Sequence, residues 1–329
     1  MLNATTGCVA AGVLALGSVW WAFAAEAPGE AGMRTTAEKH VKAGNFKDAF
    51  VLYKKLLAEP DVQADKVAGD LAAAANCLNQ LGDLAELDAV IEAAVTTHGK
   101  NWKLLREAAL TTMHSGHFGS VVAGKFIRGN QAGQGEYVTT MDRDRVRALQ
   151  LFTQAHAIAQ TEATRPELAK FYQQFAEAVA MDAIGADAWE LQVLTDLAVL
   201  PDPEPGHRWG RRGFGMRGGN TRGAPVDIDG NPVLYHVPEG LAAAKSDGER
   251  WRWLLNSAMT NDEALRNEIE TTWAGFLHSQ FGVQTMAGFL PQDDEHKAED
   301  ATGPFAVHTL KDEETIARLA TGIKRFALS

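Results

Sequence analysis

Residues 37–57 read AEKHVKAGNFKDAFVLYKKLL, two amphipathic runs separated by a glycine. Gly44 is followed two residues later by an apolar side chain, Phe46, and the same form recurs at Gly82-Asp-Leu84 and Gly116-His-Phe118. The glycines are 38 and 34 residues apart, and an alanine precedes each by seven residues: Ala37, Ala75 and Ala109. After the first glycine, Ala49 and Tyr53 lie one helical turn apart, with Leu56 next on the same face and Pro60 closing the unit. Ala148, Phe152 and Ala155 repeat the step in RALQLFTQAHA. Two antiparallel helices approach closely where facing side chains are small, and an aromatic one turn on fills the groove that opens. Glycine suits the chain reversal between them because it turns at little steric cost.

This pattern resembles the tetratricopeptide-repeat family, whose period is 34 residues. The resemblance implies an all-α fold, with antiparallel helix pairs stacked as a solenoid over 33–201. The second unit carries Leu87 and Ile91 where the alanine and aromatic are expected, which implies a wider crossing. The third is interrupted by an insertion at about 119–140, whose runs KFIRG and GEYVTT are expected to form a β-hairpin. A fourth pair is expected from 166–185 and 186–201, with Ala176 and Ala188 at the small positions and Pro201 and Pro203 stopping the run.

Residues 202–240 are expected to be a Gly/Arg-rich loop and a second β-hairpin. GFGMRG, at 213–218, matches the glycine spacing of a dinucleotide-binding turn, but neither a strand before it nor a helix after it is legible. No cofactor is therefore expected. The run 206–223 holds Arg208, Arg211, Arg212, Arg217 and Arg222 with Trp209 and Phe214 between them and no acid. It reads first as a solvated loop, next as a contact for an acidic partner or anionic lipid, and last as a nucleic-acid binder. Asp227, Asp229 and Asn231 alternate like calcium ligands, but the glycine is misplaced and no late glutamate follows, so a turn is the better reading. From 241 to 329 helices resume. Ser246 with Glu249, and Thr260 with Glu263, are expected capping boxes, and Trp251, Trp253, Trp273, Phe276 and Phe281 are expected core aromatics. The acidic run 292–300 reads as a linker, and 311–326 as a closing helix.

Residues 1–24 carry no charged side chain, and 7–25 are apolar. Residues 1–25 are thus expected to be a cleaved signal peptide, with Ala22-Phe23-Ala24 at the cleavage site, or an uncleaved membrane anchor. Either places the rest of the chain outside the cytoplasm, in the periplasm or cell envelope. The net charge of −11 opposes general nucleic-acid binding. Cys77 is the single cysteine after the leader, which leaves no internal disulfide and no cysteine-based metal site. Zincin, nucleophile-elbow and Walker A motifs are absent from the sequence. His114 and His117 straddle a glycine turn without a third ligand, and His156 reads as a packing or exposed residue, so no metal is expected.

Several phrases also resemble the N-terminal helical region of bacterial alpha-2-macroglobulin-like proteins. They include AEKHVKAGNFKDAFVLYKKLL, GKFIRGN, RDRVRALQL, GAPVDIDGNPV and ETIARLATGIKRF, within about 35–326. That resemblance implies an envelope location and a docking role, although the thioester motif of the family is missing. The expected function is a non-catalytic scaffold for a protein or peptide partner. Lys125, Arg128 and Tyr137 of the insertion and Arg211, Arg212 and Arg217 of the loop are the candidate contacts. The alternatives are a portion of a macroglobulin-like protease-inhibiting defence protein, and an enzyme without a recognised motif.

Overall fold

A computed structural model describes residues 29–130, 135–181, 191, 193–205 and 236–281. The N-terminal segment 1–25, the arginines of 206–223, the second expected hairpin, Ala188, the acidic run and the closing helix lie outside the described residues. The described part is mostly helical, with one small antiparallel sheet. No helix among the described residues is long and apolar enough to cross a membrane.

Helices α1 (Glu30–Lys42) and α2 (Phe46–Ala58) pack on each other, and α2 packs on α3 (Val67–Leu81). The buried side of α2 is Ala49, Phe50, Tyr53, Leu56 and Leu57, the spacing of a single helical face. Gly44 and Gly82 end α1 and α3 with φ of 76° and 65°, conformations open to glycine at no Cβ cost. In both, the residue after the glycine donates back across the turn, Asn45 N to His40 O at 2.9 Å and Asp83 N to Leu78 O at 3.1 Å. Helix α4 (Leu87–His98) touches α3 only sparsely and spreads over α2 and α5 (Trp102–His114), while α3 packs directly on α5. The alanines at the expected crossings are buried: Ala37, Ala75, Ala109, Ala148 and Ala155.

The third glycine does something else. Helix α5 ends at His114, Ser115 turns to extended backbone, and the chain enters a sheet. Its strands are β1 (Phe118–Val122), β2 (Lys125–Arg128), β3 (Glu136–Thr139) and β4 (Glu204–Pro205), ordered β2-β1-β3-β4. The expected pairing of KFIRG with GEYVTT is therefore corrected. Both flank β1, which the sequence reading left unassigned, and β1–β2 is the tight hairpin. Val122 pairs with Lys125, and the intervening Ala123 and Gly124 have φ of 49° and 78°, the positive values a type I′ turn requires.

After the sheet, α6 (Met141–Glu162) returns against α5 and α7 (Arg165–Val179). Phe152 of α6 stacks on Phe175 of α7 at 5.1 Å and meets Phe171 edge-on at 5.7 Å. Such pairs contribute about 0.5–1.5 kcal/mol beyond area burial. A second correction concerns the later part of the expected mate of α7 at 186–201, whose first residues, 186–190, lie outside the described residues. Residues 193–203 are not helical, and α8 (Asp247–Asn261) packs on α7 instead. The backbone of this strap is held by side chains: Gln150 donates to Leu197 O at 3.0 Å, Arg143 to Pro201 O at 2.8 Å and Arg250 to Thr195 O at 3.0 Å. Asp247 accepts from Thr195 N at 3.1 Å. These bonds stand where i−4 helical bonds would.

Ser246 caps α8 by accepting from Glu249 N at 3.2 Å, while the Glu249 carboxylate reaches Lys245 N rather than Ser246 N. Thr260 lies inside α8, and Asp262 is the next cap, ahead of a single turn (Glu263–Leu265) and α9 (Arg266–Phe281). Trp251 contacts Trp273 and Phe276 across α8 and α9, with ring centroids 6.3 and 4.9 Å apart.

Gly119 of β1 tests the sheet geometry. A Cβ there would lie 2.2 Å from Ile127 O and 2.5 Å from the Phe126 ring. Gly119→Ala is expected to force β1 from β2 and lower stability by about 1–3 kcal/mol, read as a shift of the urea midpoint; an unshifted midpoint would mean the strands are not this close.

Candidate functional site

The candidate contact residues of the insertion separate in the fold. Lys125 is exposed beside the β1–β2 turn. Tyr137 on β3 is partly buried, its ring stacked on Phe118 at 6.2 Å. Arg128 is 3% exposed, so its expected role as a surface contact is corrected. Arg211, Arg212 and Arg217 lie outside the described residues.

Arg128 is an internal clamp. Its Nε and Nη2 donate to the Asp88 carboxylate of α4 at 2.8–3.1 Å. Nη1 and Nη2 donate to the two Asp144 oxygens of α6 at 2.7 and 2.8 Å, and Nη1 also reaches Gly116 O at 2.8 Å. All five guanidinium N–H groups thus have acceptors. Asp144 is 2% exposed and also accepts from Thr140 Oγ1 at 2.7 Å, with His117 Nδ1 at 2.9 Å. Burial pushes the Asp144 pKa up, but the bonds from Arg128 and His117 and the Arg128 charge reverse this and hold it below the usual carboxylate value. Burial likewise opposes the charge on Arg128, and Asp144 and Asp88 overcome it, so its pKa is raised. A cavity of about 240 Å³ lies beside the clamp; among its charged walls Arg147 is bound to Glu92 at 2.6 and 2.7 Å, and Arg143 donates to Pro201 O.

A larger groove, about 530 Å³, opens between α6, α7, α8 and the strap. Leu149, Thr153, His156 and Gln160 form one wall, a continuous stripe on α6. It lies next to the buried stripe Ala148, Phe152, Ala155 and Ala159. Phe175, Arg250 and Trp253 form the opposite side, and Leu197, Glu239, Gly240, Leu241 and Ala242 the rim. The volume and largely apolar lining are those of a small-ligand or side-chain pocket, about 300–1,000 Å³.

His156 sits among aromatic rings, 5.6 Å from Tyr172 and 5.8 Å from Trp253. Burial lowers its pKa below the usual 6.5. Its buried Nδ1 has no hydrogen-bond partner among the described residues. Below this wall, Asp247, 1% exposed, accepts from Arg145 at 2.7 Å and from Arg250 at 3.0 Å. Two guanidiniums share one carboxylate, and one of them, Arg250, lines the groove. Among the described residues no group of three metal-ligating side chains comes together. The sequence reading named His156 only as a packing or exposed residue and missed the groove, because its walls come from segments up to a hundred residues apart. The stripe 149-153-156-160 was its one local signal.

No family model matches the chain, and neither a curated protein nor a solved structure matches it.

Asp144→Asn leaves Arg128 buried with half its counter-charge and is expected to lower stability by about 3–5 kcal/mol, measured by chemical denaturation. His156 gives a separate, pH-dependent test. The unfolded imidazole takes up a proton as pH falls below 6.5 while the folded one resists it, so stability drops in that window. His156→Phe is expected to remove this part of the slope between pH 7.5 and 5.5. The Asp144 contribution is lost only at lower pH, as its depressed folded pKa is passed. Identical slopes in parent and variant would show that His156 titrates freely.

Proposed function

We propose that this chain is a non-catalytic binding scaffold, exported from the cytoplasm, whose TPR-like helix pairs hold a protein or peptide partner. The observation that carries the reading is the groove beside α6 and α8, largely apolar in its lining, with Phe175 and Trp253 among its walls. Such a lining binds by exclusion of water and shape rather than by proton transfer. The packing order supports the repeat reading. Helices α1, α5 and α7 each lie against a mate, α2, α6 and α8, and α3 packs on α5, although α5 touches α7 only sparsely. Rigid helix pairs that each touch their neighbours present extended surfaces to partners. Location outside the cytoplasm rests on the uncharged apolar segment at the N-terminus. Lys125 and Tyr137 lie on the sheet, where they offer a second contact.

The test is site-specific photocrosslinking in cells with the full chain, the reactive group placed at Thr153 in the groove or at Lys125 on the sheet. Adducts with a discrete protein from Thr153, insensitive to nuclease and lost with Leu197→Arg, are expected. A full chain that folds and gives no adduct from either position would overturn the scaffold reading.

A further inference from the structure

The charges at the end of the groove specify what it holds. Arg250 uses Nη1 twice, on Thr195 O and on Asp247 Oδ1, both at 3.0 Å. Its Nε and Nη2 donate to no acceptor among the described residues. Arg145 is committed to Asp247, to Thr195 and to Val179 O. Among the described residues, two cations against the single carboxylate of Asp247 leave one positive charge in excess, and Arg250 carries it onto the groove wall. Glu239 faces water at the rim, where its charge is screened. A dianion would bring more charge than this site neutralises, whereas a monocarboxylate matches it and fits the planar edge of a guanidinium.

Beside that edge stand Leu149, Phe175, Leu197 and Trp253, an apolar bed for a large side chain. A carboxylate directly beside a large apolar side chain occurs at the end of a polypeptide whose last residue is large and apolar.

We propose that the groove captures the free C-terminus of a partner chain ending in a large apolar residue, with its carboxylate on Arg250 and its last side chain against Phe175 and Trp253. This rests on the groove being the partner site.

Isothermal titration of the full-length protein with the peptide Ser-Gly-Ser-Gly-Leu-Phe tests it, in free-acid and amidated forms and beside 4-phenylbutyrate. The free acid is expected to bind at least about tenfold tighter than the amide, the ratio that a difference of about 1.4 kcal/mol gives, and tighter than phenylbutyrate. Arg250→Gln should erase the acid-over-amide preference while the amide still binds. Thr153→Trp, which fills the groove from an exposed helix position, should abolish both. Melting temperatures report whether each variant is folded, and Arg250→Lys, which keeps the charge but loses the fork, replaces Arg250→Gln if that variant is not. Equal binding of acid and amide would overturn the terminus inference and leave the groove reading intact. Phenylbutyrate binding as tightly as the peptide would also overturn it, in favour of a small acid. No binding by any probe would count against the groove itself.

Discussion

The guanidinium of Arg128 is the contact on which the middle of the molecule depends. It arises on a short strand, is buried to 3% exposure, and joins Asp88 of α4 to Asp144 of α6. Its sheet is small, with β4 of only two residues, and leans on its packing against the helices. Fixed by this clamp, it becomes a rigid connection between α5 and α6, and the two helices still pack as mates although the sheet separates them in sequence. Arginine suits the position because it stays charged and its fork reaches two carboxylates at once. The charge is tolerated inside because every N–H finds an acceptor.

The geometry then passes along α6. One stripe of this helix, at Ala148, Phe152, Ala155 and Ala159, is consumed by packing. On the same helix, Arg143, Arg145 and Gln150 hold the strap that follows α7. The strap keeps the place beside α7 free for α8, and α8 brings Arg250 and Trp253 to the groove. Asp247 sits where these tethers meet, receiving bonds from Arg145, Arg250 and Thr195. The groove is thus a consequence of how the fourth pair is completed by a distant helix.

Much of the helical framework was legible. The turns at Gly44 and Gly82 and the buried alanines followed from local rules about left-handed residues and close crossings. Gly116 obeyed the same pattern and behaved differently, because its carbonyl receives Arg128 and the chain continues into β1. The run VLTDLAVLP looked like a helix from its apolar content, yet its backbone bonds to side chains from α6 and α8. The site was less legible still. Arg128 looked like a surface cation, since nothing near it in sequence announces Asp88 or Asp144. His156 and Arg250 lie far apart along the chain and share a groove only after α8 docks.

The sequence by itself determined the helices of the first pairs, the turns within them and the net acidic charge, because periodicity, glycine conformation and composition act over a few residues. Only the tertiary structure decided the partner of α7, the strand order β2-β1-β3-β4, the burial of Arg128 and the charge left over beside Asp247. Those outcomes depend on contacts beyond the local chain, from Arg128 with Asp144, 16 positions apart, to Arg145 with Asp247, 102 apart, where competing arrangements differ by which polar groups find partners once water is excluded.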